Sequence, residues 1–196
     1  MNTAQPIRTR NDLEKIKGYY RLAKPNPRNS LLIVVGLNTA LRISDILSLT
    51  WDMVYDFDNR KYKTHILTTE IKTGKRAQIY LNNNVRNALV EYREELHRMG
   101  EDIEPDRYLF SHSNKNIPIS RVQAFRIIKD AANMCNISGT ISCHSLRKTF
   151  GYHAWKQGAP LAVLVNIYNH SSYQVTKRYL GIEQDDKDSI YREIQL

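Results

Sequence analysis

Cations, imidazoles and phenols are concentrated in one stretch of the chain, Cys143–Gly181, which reads CHSLRKTFGYHAWKQGAPLAVLVNIYNHSSYQVTKRYLG. The stretch holds three His, two Arg, three Lys and four Tyr, and it contains no Asp or Glu. Carboxylates are the side chains that commonly ligate metals and act as general bases. Their absence among so many cations predicts an anionic substrate for this part of the chain.

Two spacings within this stretch matter for chemistry. His144 and Arg147 are three residues apart on a predicted helix, so they share one face. His170 lies at a turn before a predicted helix, and Tyr179 follows nine residues later. A straight helix over that span would carry Tyr179 roughly 13 Å along its axis. The two side chains can therefore meet only if that helix is short, bent or mobile.

The elements that must position these residues are mainly helices, with a small antiparallel β-sheet, so the predicted class is α+β. Periodicity and capping residues predict helices over about 11–23, 28–38, 45–52, 85–99, 120–135, 143–157, 160–168 and 184–196. A further helix begins at Ser171 or Ser172 and carries Tyr179. Asn11, Ser44 and Ser120 are predicted N-caps, the first and last of them in capping boxes, and Ser171 or Ser172 is predicted to cap the helix that carries Tyr179.

The sheet is predicted between the helical segments. β-branched residues and alternation indicate strands over 62–69 and 76–81, joined by a hairpin turn at 72–75. A short strand is also expected near 108–110.

The charge of the whole chain agrees with an anionic partner. Lys and Arg total 29 and Asp and Glu total 20 among 196 residues, so the formal charge is 29 − 20 = +9 and the isoelectric point is about 9.5. An excess of this size favours nucleic acid or another polyanion. A merely basic, soluble surface would give the same composition, so charge alone does not decide between them.

The cysteines and the N-terminus bear on the compartment. Cys135 and Cys143 form no CxxC pair, so neither a structural zinc site nor a disulfide framework is expected. The opening residues MNTAQPIRTR lack the apolar segment of a signal peptide, and the aliphatic run Leu31–Val35 is too short to span a membrane. We therefore expect a reduced, cytoplasmic protein whose residues 1–10 form a flexible basic lead.

Several boxes of the sequence resemble tyrosine recombinases, the phage integrase family. HSLRKTF, NHSS and TKRYLG are similar to the family's His-x-x-Arg, Leu-Gly-His-Ser and nucleophilic Tyr. The upstream arginine box is TALRISDILSLTWDMV here, and the hairpin lysine of the family corresponds to IKTGK. All six family positions are filled in order, by Arg42, Lys72, His144, Arg147, His170 and Tyr179.

The resemblance implies a recombinase catalytic-domain fold and a role for each of these residues. Arg42 and Arg147 would bind the non-bridging phosphate oxygens, as paired guanidiniums do well. Tyr179 would attack phosphorus and form a 3′-phosphotyrosyl bond, which conserves the bond energy, so that rejoining needs no ATP. Lys72 would protonate the leaving 5′ oxygen, His144 would assist deprotonation of the tyrosine, and His170 would hydrogen-bond the phosphate. No metal or other cofactor is implied.

The implied function is site-specific integration, excision or inversion of double-stranded DNA. Backbone phosphate contacts are expected from Lys75, Arg76, Arg121 and Arg126. Self-association into a synaptic tetramer is expected through a tail helix at 183–196, whose apolar stripe consists of Ile190, Tyr191, Ile194 and Leu196. Accessory DNA-bending proteins are further partners that the resemblance allows.

The chain departs from the family pattern at three local positions. Tyr168-Asn169 stands where Leu-Gly is usual, Ala40 replaces a Gly, and Asp45 replaces a Glu that could orient a neighbouring cation. Because Asn tolerates the left-handed backbone region better than most residues, the turn at Asn169 is expected to survive. The change at Ala40 is expected to be mild.

A larger departure concerns domain organisation. Residues 1–196 are predicted to be a single catalytic domain, and the N-terminal core-binding domain of most integrases is expected to be absent. The chain would then be either a short stand-alone recombinase or one piece of a longer integrase.

Other interpretations remain at this point. Taken singly, each of the six residues is more readily a surface, capping or core residue; only their joint order favours a site. A strand nicker of the type IB topoisomerase kind would share the chemistry, and a DNA-binding regulator with a dormant site would share the charge. Tyr168 and Tyr173 flank His170 and are the rival nucleophiles.

Overall fold

The structure is a computed structural model that describes residues 4–112 and 115–195, with Ser189 described by its backbone alone. The helices of this part of the chain are α1 Arg10–Gly18, α2 Pro27–Asn38, α3 Ile43–Leu47, α4 Trp51–Val54, α5 Asn83–Arg98, α6 Arg121–Met134, α7 Cys143–Lys156, α8 Leu161–Tyr168, α9 Tyr173–Leu180 and α10 Glu183–Glu193. A π-helical turn, Tyr19–Ala23, continues α1. The strands are β1 Tyr55–Asp56, β2 Lys61–Tyr62, β3 His65–Thr69, β4 Arg76–Tyr80, β5 Ser111–His112 and β6 Lys115–Pro118. The predicted α+β class is confirmed.

The described strands pair as antiparallel hairpins: β1 with β2, β3 with β4, and β5 with β6. The hairpin of β3 and β4 runs in register from His65 opposite Tyr80 to Thr69 opposite Arg76. The prediction of a single strand over 62–69 was wrong, because the chain changes its pairing partner within that range. Tyr62 pairs with Tyr55, whereas His65 pairs with Tyr80.

Helix α2 is buried along nearly its whole length and separates two apolar clusters. Asn26 caps it by accepting the N–H of Asn29, and Pro27 occupies the first turn. On one side α2 packs with α5 and the strands, and on the other with α1, α6 and α7. Gly36 lets α7 approach closely, since a Cβ there would lie 2.6 Å from Leu146 Cδ1.

A third apolar cluster lies where α7, α8 and α9 meet. Its buried members are Ala40, Tyr152, Leu164, Tyr168, Leu180 and Ile182. Tyr179 packs against this cluster with its ring partly buried. The short helices α8 and α9 are thereby fixed on α7, which carries two of the six candidate residues.

The predicted caps at Asn11 and Ser44 were wrong. Thr9 rather than Asn11 caps α1, accepting the N–H of Asp12. Helix α3 begins at Ile43, so Arg42 rather than Ser44 is its N-cap residue. The capping box at Ser120 is confirmed, because Ser120 and Gln123 satisfy each other's backbone N–H groups.

The helix predicted over 45–52 is also divided in two. The backbone leaves the helix after Leu47 because Thr50 forms a bridge with Tyr108, and Leu49 accepts the N–H of Leu109. This pairing replaces the short strand expected near 108–110, and the described strand begins at Ser111. A contact across some sixty residues therefore overrides the local helical pattern.

Residues 4–9 do not form a flexible lead as predicted. Ile7 is only 2% exposed, and its N–H donates to Thr149 Oγ1 at 2.8 Å. Gln5 N–H donates to the carbonyl of Thr140, and Lys148 Nζ donates to the carbonyl of Ala4. The segment is held against α7 because an apolar side chain and several backbone groups find partners there.

The tail helix ends earlier than expected. Helix α10 stops at Glu193, and Ile194 is extended, so the predicted stripe is only partly helical. Leu196, the last residue of that stripe, lies outside the described residues. Among the residues described, no helix combines the length and the apolar character needed to cross a membrane.

Candidate active site

Arg42 reaches the centre of the molecule from the turn before α3. Its side chain is mostly buried, and Nη1 donates to Glu70 Oε2 at 2.7 Å. The turn is made by Ala40, which is buried and has a φ of 54°. An L-residue in the left-handed region costs about 1 kcal/mol or more, so the exchange of Gly for Ala is less mild than predicted.

His144 and Arg147 project from the first turns of α7. Arg147 is 4% exposed, and its Nη1 is buried without a hydrogen-bond partner among the described residues. Burial lowers the pKa of this guanidinium, although it remains charged at any ordinary pH. The arginine therefore presents a buried cationic donor that an anion would satisfy.

The imidazole of His144 is kept neutral by its surroundings. Partial desolvation lowers its pKa, and the charges of Lys148, Arg147, Arg42 and Lys72 lower it further. The residue itself is exposed at the start of α7. A neutral imidazole facing several cations is able to accept a proton near neutral pH.

His170 and Tyr179 meet because α9 is short. Asn169 ends α8 with a φ of 54° and a ψ of 41°, so the turn survives as predicted. Ser172 then caps α9. The two ring centroids lie 5.0 Å apart with their planes at 74°, and both residues belong to the same chain.

The remaining contacts of His170 decide which ring atom is free. Its Nδ1 lies 3.0 Å from Thr176 Oγ1, and that hydroxyl donates to the carbonyl of Ser172. Nδ1 is therefore the donor in this pair, which leaves Nε2 for another partner. Desolvation lowers the pKa of His170, and the charges of Arg147 and Arg42 add to the shift.

The hydroxyl of Tyr179 is buried and has no hydrogen-bond partner among the described residues. Burial raises the pKa of this phenol, while the charge of Arg147, a loose polar contact of its guanidinium with the hydroxyl, and the charge of Arg42 act in the opposite direction. Lys148 Nζ lies 5.1 Å from the centroid of the ring. Burial outweighs these cations, so the phenol is neutral in the absence of DNA, and the cations limit the cost of ionising it during attack.

Tyr168 has a structural place that does not suit a nucleophile. It is fully buried, and its hydroxyl donates to the carbonyl of Arg147 at 2.7 Å. Its ring stacks on His170 and lies under the Arg147 guanidinium, 4.9 Å from ring centroid to guanidinium carbon. Room for it is made by Gly151, where a Cβ would lie 2.5 Å from the Tyr168 hydroxyl. Tyr173, the other rival, is exposed at the start of α9.

Lys72 stands apart from the other five candidate residues. It is exposed in the turn between β3 and β4, and it forms no ion pair within the described part of the chain. Its charge still lowers the pKa of His144, so the turn faces the site. The structure therefore gathers Arg42, Arg147, His144, His170 and Tyr179, and it leaves Lys72 at the rim.

A carboxylate that the sequence analysis missed lies among these cations. Glu70 is 3% exposed, and its Oε2 accepts hydrogen bonds from Arg42, Thr73 and Asn169. Burial alone would raise its pKa, but the hydrogen bonds from Thr73 and Arg42, with the nearby charges, bring the pKa below its ordinary value. The one feature of the sequence that could have indicated Glu70 is its position two residues before the hairpin lysine.

The carboxylate that the sequence analysis did consider has a different task. Asp45 is fully buried, and its Oδ1 accepts the backbone N–H of Ile71 at 2.9 Å. It forms no ion pair within the described residues. Asp45 therefore fixes the start of the turn that carries Lys72, while Glu70 is the residue that orients a cation.

The four predicted phosphate contacts are all exposed. Lys75 and Arg76 follow Lys72 in the hairpin, close to the site. Arg121 and Arg126 lie on α6, roughly 140° apart around the helix, so they do not share one face. None of the four forms an ion pair with a described residue.

A family model described as the phage integrase family matches residues 9–185 of the chain. This chain belongs to the phage integrase family. The predicted resemblance to tyrosine recombinases is thereby confirmed.

Curated relatives of this integrase-family chain carry matching names. The "Probable integrase/recombinase YoeC" of Bacillus subtilis is 38% identical over 192 residues, which cover 98% of this chain and 97% of that relative. The "Tyrosine recombinase XerD" of Mycobacterium leprae is 27% identical over 172 residues, covering 85% of this chain and 52% of the relative. The chain thus spans nearly the whole of one relative and about half of the other.

Solved integrase-family structures share the fold. A crystal structure of XerA recombinase matches with a TM-score of 0.75 at 20% identity, over 97% of this chain and 66% of that one. XerH recombinase, in a post-cleavage complex with its difH substrate, matches with a TM-score of 0.69 at 20% identity, over 91% and 50% of the two chains. The predicted recombinase catalytic-domain fold is confirmed.

Proposed function

We propose that this chain is a site-specific recombinase that cuts and rejoins double-stranded DNA through a 3′-phosphotyrosyl intermediate formed by Tyr179. The observation that supports it most is that the buried Tyr179 hydroxyl and the buried Arg147 guanidinium lie together, and neither the hydroxyl nor Arg147 Nη1 has a well-formed hydrogen bond among the described residues. Buried polar atoms without a partner are rare in native proteins, and a phosphodiester would satisfy both. The names of the integrase-family relatives support the same reaction.

In the cleavage step the tyrosine oxygen forms a bond to phosphorus as the bond from phosphorus to the 5′ oxygen breaks. Arg42 and Arg147 hold the non-bridging oxygens, where negative charge grows in the transition state. Because its pKa is lowered, His144 is unprotonated near neutral pH and is available to accept the phenolic proton. Because Nδ1 of His170 already donates to Thr176, Nε2 donates to the phosphate from the protonated ring, a form that the bound anion favours.

The leaving oxygen receives its proton from Lys72 in this proposal. A lysine is a mobile point charge with three donors, and the exposed hairpin turn lets it follow the 5′ oxygen. Rejoining reverses the steps, with the 5′ hydroxyl attacking the phosphotyrosine. No metal ion and no nucleotide take part in the proposed scheme.

The reaction is tested by trapping the covalent intermediate. The protein is incubated with nicked duplexes from its own genomic neighbourhood, quenched in SDS, and examined for a protein–DNA adduct with EDTA present. We expect an EDTA-resistant adduct; its absence across all the duplexes and salt concentrations would contradict the proposal. A plasmid with two sites then separates recombination from the relaxation alone that a type IB topoisomerase would give.

The cationic hairpin and α6 are proposed to contact DNA phosphates through Lys75, Arg76, Arg121 and Arg126. Neutralising one of these residues to Ala should flatten the dependence of log affinity on log salt by about one unit, because one fewer counterion is released. Binding would be measured by fluorescence anisotropy between about 50 and 200 mM salt, the range over which such contacts weaken strongly.

A matched control for the salt series is Arg98→Ala. Arg98 is equally exposed but is paired with Glu95 in α5. Its removal should leave the salt slope unchanged. A residue among the four whose variant behaves like Arg98→Ala does not contact phosphate.

Self-association is proposed through the end of α10. The start of this helix is tied to its own domain by Arg8–Asp185 and Lys177–Asp186 ion pairs. Its later residues Ile190 and Tyr191 are exposed, the latter by 82%, as is Ile194. An apolar stripe beyond a tethered start suits docking on a neighbouring copy, in the tetramer and with the accessory DNA-bending proteins expected from the resemblance.

Deleting 190–196 should abolish cooperative binding to paired sites while leaving binding to a single site unchanged. The deletion spares Asp185 and Asp186, so the start of α10 keeps its ion pairs. Gel-shift titrations on one-site and two-site DNA measure the two quantities. Retained cooperativity would mean that the stripe packs elsewhere.

We also propose that the chain is a single catalytic domain that acts in the cytoplasm. A single catalytic domain is supported by the coverage of the B. subtilis relative, which extends over 97% of its length. Action on DNA supports a place in the cytoplasm.

A further inference from the structure

We propose that Glu70 is a positioning residue that holds three parts of the active site in register through one carboxylate oxygen. Oε2 accepts from Arg42 Nη1 at 2.7 Å, from Thr73 Oγ1 at 2.7 Å and from Asn169 Nδ2 at 3.1 Å. The inference rests on the proposed function, because it gives Glu70 a task in the reaction assigned to Arg42 and Tyr179.

The three donors come from three separate elements. Arg42 stands before α3, Thr73 lies in the turn between β3 and β4, and Asn169 lies between α8 and α9. Thr73 is the neighbour of Lys72, and Asn169 is the neighbour of His170. One oxygen therefore links the element that carries an arginine, the turn that carries the lysine, and the loop that carries a histidine.

Glu70 is well suited to this task because it is ionised and buried. A carboxylate among cations, with three donors on one oxygen, loses little by leaving water. Its side chain is 4% exposed and that of Arg42 is 19% exposed, so the pair is shielded from salt. Removing one partner of such a pair leaves an uncompensated charge, which would let the arginine move.

The ion pair with Glu70 leaves most of the N–H donors of Arg42 available. A guanidinium carries five N–H donors in a rigid fork, and the Glu70 contact engages Nη1 alone. The remaining donors of Arg42 stay available for a phosphate, and the ion pair fixes the plane in which they point. Arg147, by contrast, has no ion pair within hydrogen-bond distance and no hydrogen bond at Nη1 among the described residues.

Asn169 gives the network a feature that the usual Gly could not supply. Both residues accept the left-handed conformation seen here, with a φ of 54°. Only Asn adds an amide that reaches Glu70. Replacing Asn169 with Gly therefore removes the hydrogen bond and keeps the backbone.

The test compares Glu70→Gln, Asn169→Gly and the double variant in single-turnover adduct formation at saturating DNA. We expect Glu70→Gln to slow the reaction by about 10- to 100-fold, by analogy with the loss seen when the residues that orient metal-binding side chains are replaced. DNA affinity should stay within about twofold. The double variant should be no slower than Glu70→Gln alone, because Asn169 acts through the same oxygen.

A matched control is Glu101→Gln, which breaks a comparably buried ion pair with Arg107 away from the site. It should lower the unfolding temperature without slowing adduct formation. If Glu70→Gln behaves in the same way, Glu70 is merely structural and the inference is overturned. A rise in both DNA affinity and rate would overturn it too, because the carboxylate would then be blocking the phosphate.

A second measurement needs no reaction and separates this inference from the proposed function. Unfolding temperatures of the two single variants and the double variant should be non-additive by about 2–4 °C, corresponding to a coupling of about 1 kcal/mol. If the wild-type protein forms no adduct, the proposed reaction is contradicted. The non-additivity of the unfolding temperatures then tests by itself whether Glu70 and Asn169 act together. Additive shifts would show that Glu70 and Asn169 do not act together.

Discussion

Replacing Tyr179 with Phe should abolish the covalent protein–DNA adduct and leave DNA affinity within about twofold, because only the attacking oxygen is removed. The variant should also fold at least as well as the wild type. The hydroxyl is buried and has no well-formed hydrogen bond among the described residues, so its loss removes a poorly satisfied polar atom. SDS gels of suicide-substrate reactions measure the adduct, and thermal unfolding checks the fold.

The matched control is Tyr173→Phe. Tyr173 lies on the same helix, α9, but is exposed. That variant should form the adduct at the wild-type rate. An adduct that survived in Tyr179→Phe and vanished in Tyr173→Phe would move the nucleophile to Tyr173; Tyr168 is a poorer candidate because it is buried and hydrogen-bonded to the Arg147 carbonyl.

Replacing Arg147 with Lys should slow adduct formation at saturating DNA by about 10²- to 10³-fold, the loss typical of one transition-state donor. Lysine keeps the charge, but it lacks the planar fork that contacts two oxygens at once. It would also lie less well over the ring of Tyr168, which the guanidinium covers at 4.9 Å. Single-turnover rates and DNA affinities, measured separately, show whether the loss arises in the chemical step.

Arg178→Lys is the matched control, since Arg178 is an exposed arginine on α9, one residue before the tyrosine. It should react at the wild-type rate. A mixture of the Tyr179→Phe and Arg147→Lys proteins gives a second check. If tyrosine and arginine act within one chain, as their shared cluster indicates, the mixture should show no more adduct than Arg147→Lys alone. An unchanged rate in Arg147→Lys would contradict the role of Arg147.

The candidate site was predictable where the signal is local. The six residues occur in short boxes whose order along the chain carries the information, and the turn at Lys72 follows from hairpin chemistry. The sequence predicted that His170 and Tyr179 could meet if the helix between them was short. Helix α9 is short, and the two side chains meet. The catalytic roles of these six residues stay predictions until adduct formation is measured.

Glu70 was missed because its one local signal, a place two residues before the hairpin lysine, fits a solvated glutamate at a strand end equally well. Its partners Arg42 and Asn169 lie 28 and 99 residues away, and only the fold brings them to one oxygen. The same limitation explains the errors in the fold. The break between α3 and α4 is made by Tyr108, and the anchoring of Ile7 is made by α7. Periodicity and capping report on neighbours along the chain, whereas these contacts join residues that are 28 to 142 positions apart.

The fit between Gly151 and Tyr168 restricts how sequences of this kind can change. A Cβ at position 151 would lie 2.5 Å from the Tyr168 hydroxyl and 2.6 Å from Leu180 Cδ2, so tyrosine at 168 requires glycine at 151. A smaller residue at 168 removes the hydroxyl conflict, but Leu180 would still have to move. Along any path of single substitutions, glycine therefore has to arrive first and tyrosine second. The reverse order passes through a protein in which the helix that carries Arg147 and the helix that precedes His170 are forced apart.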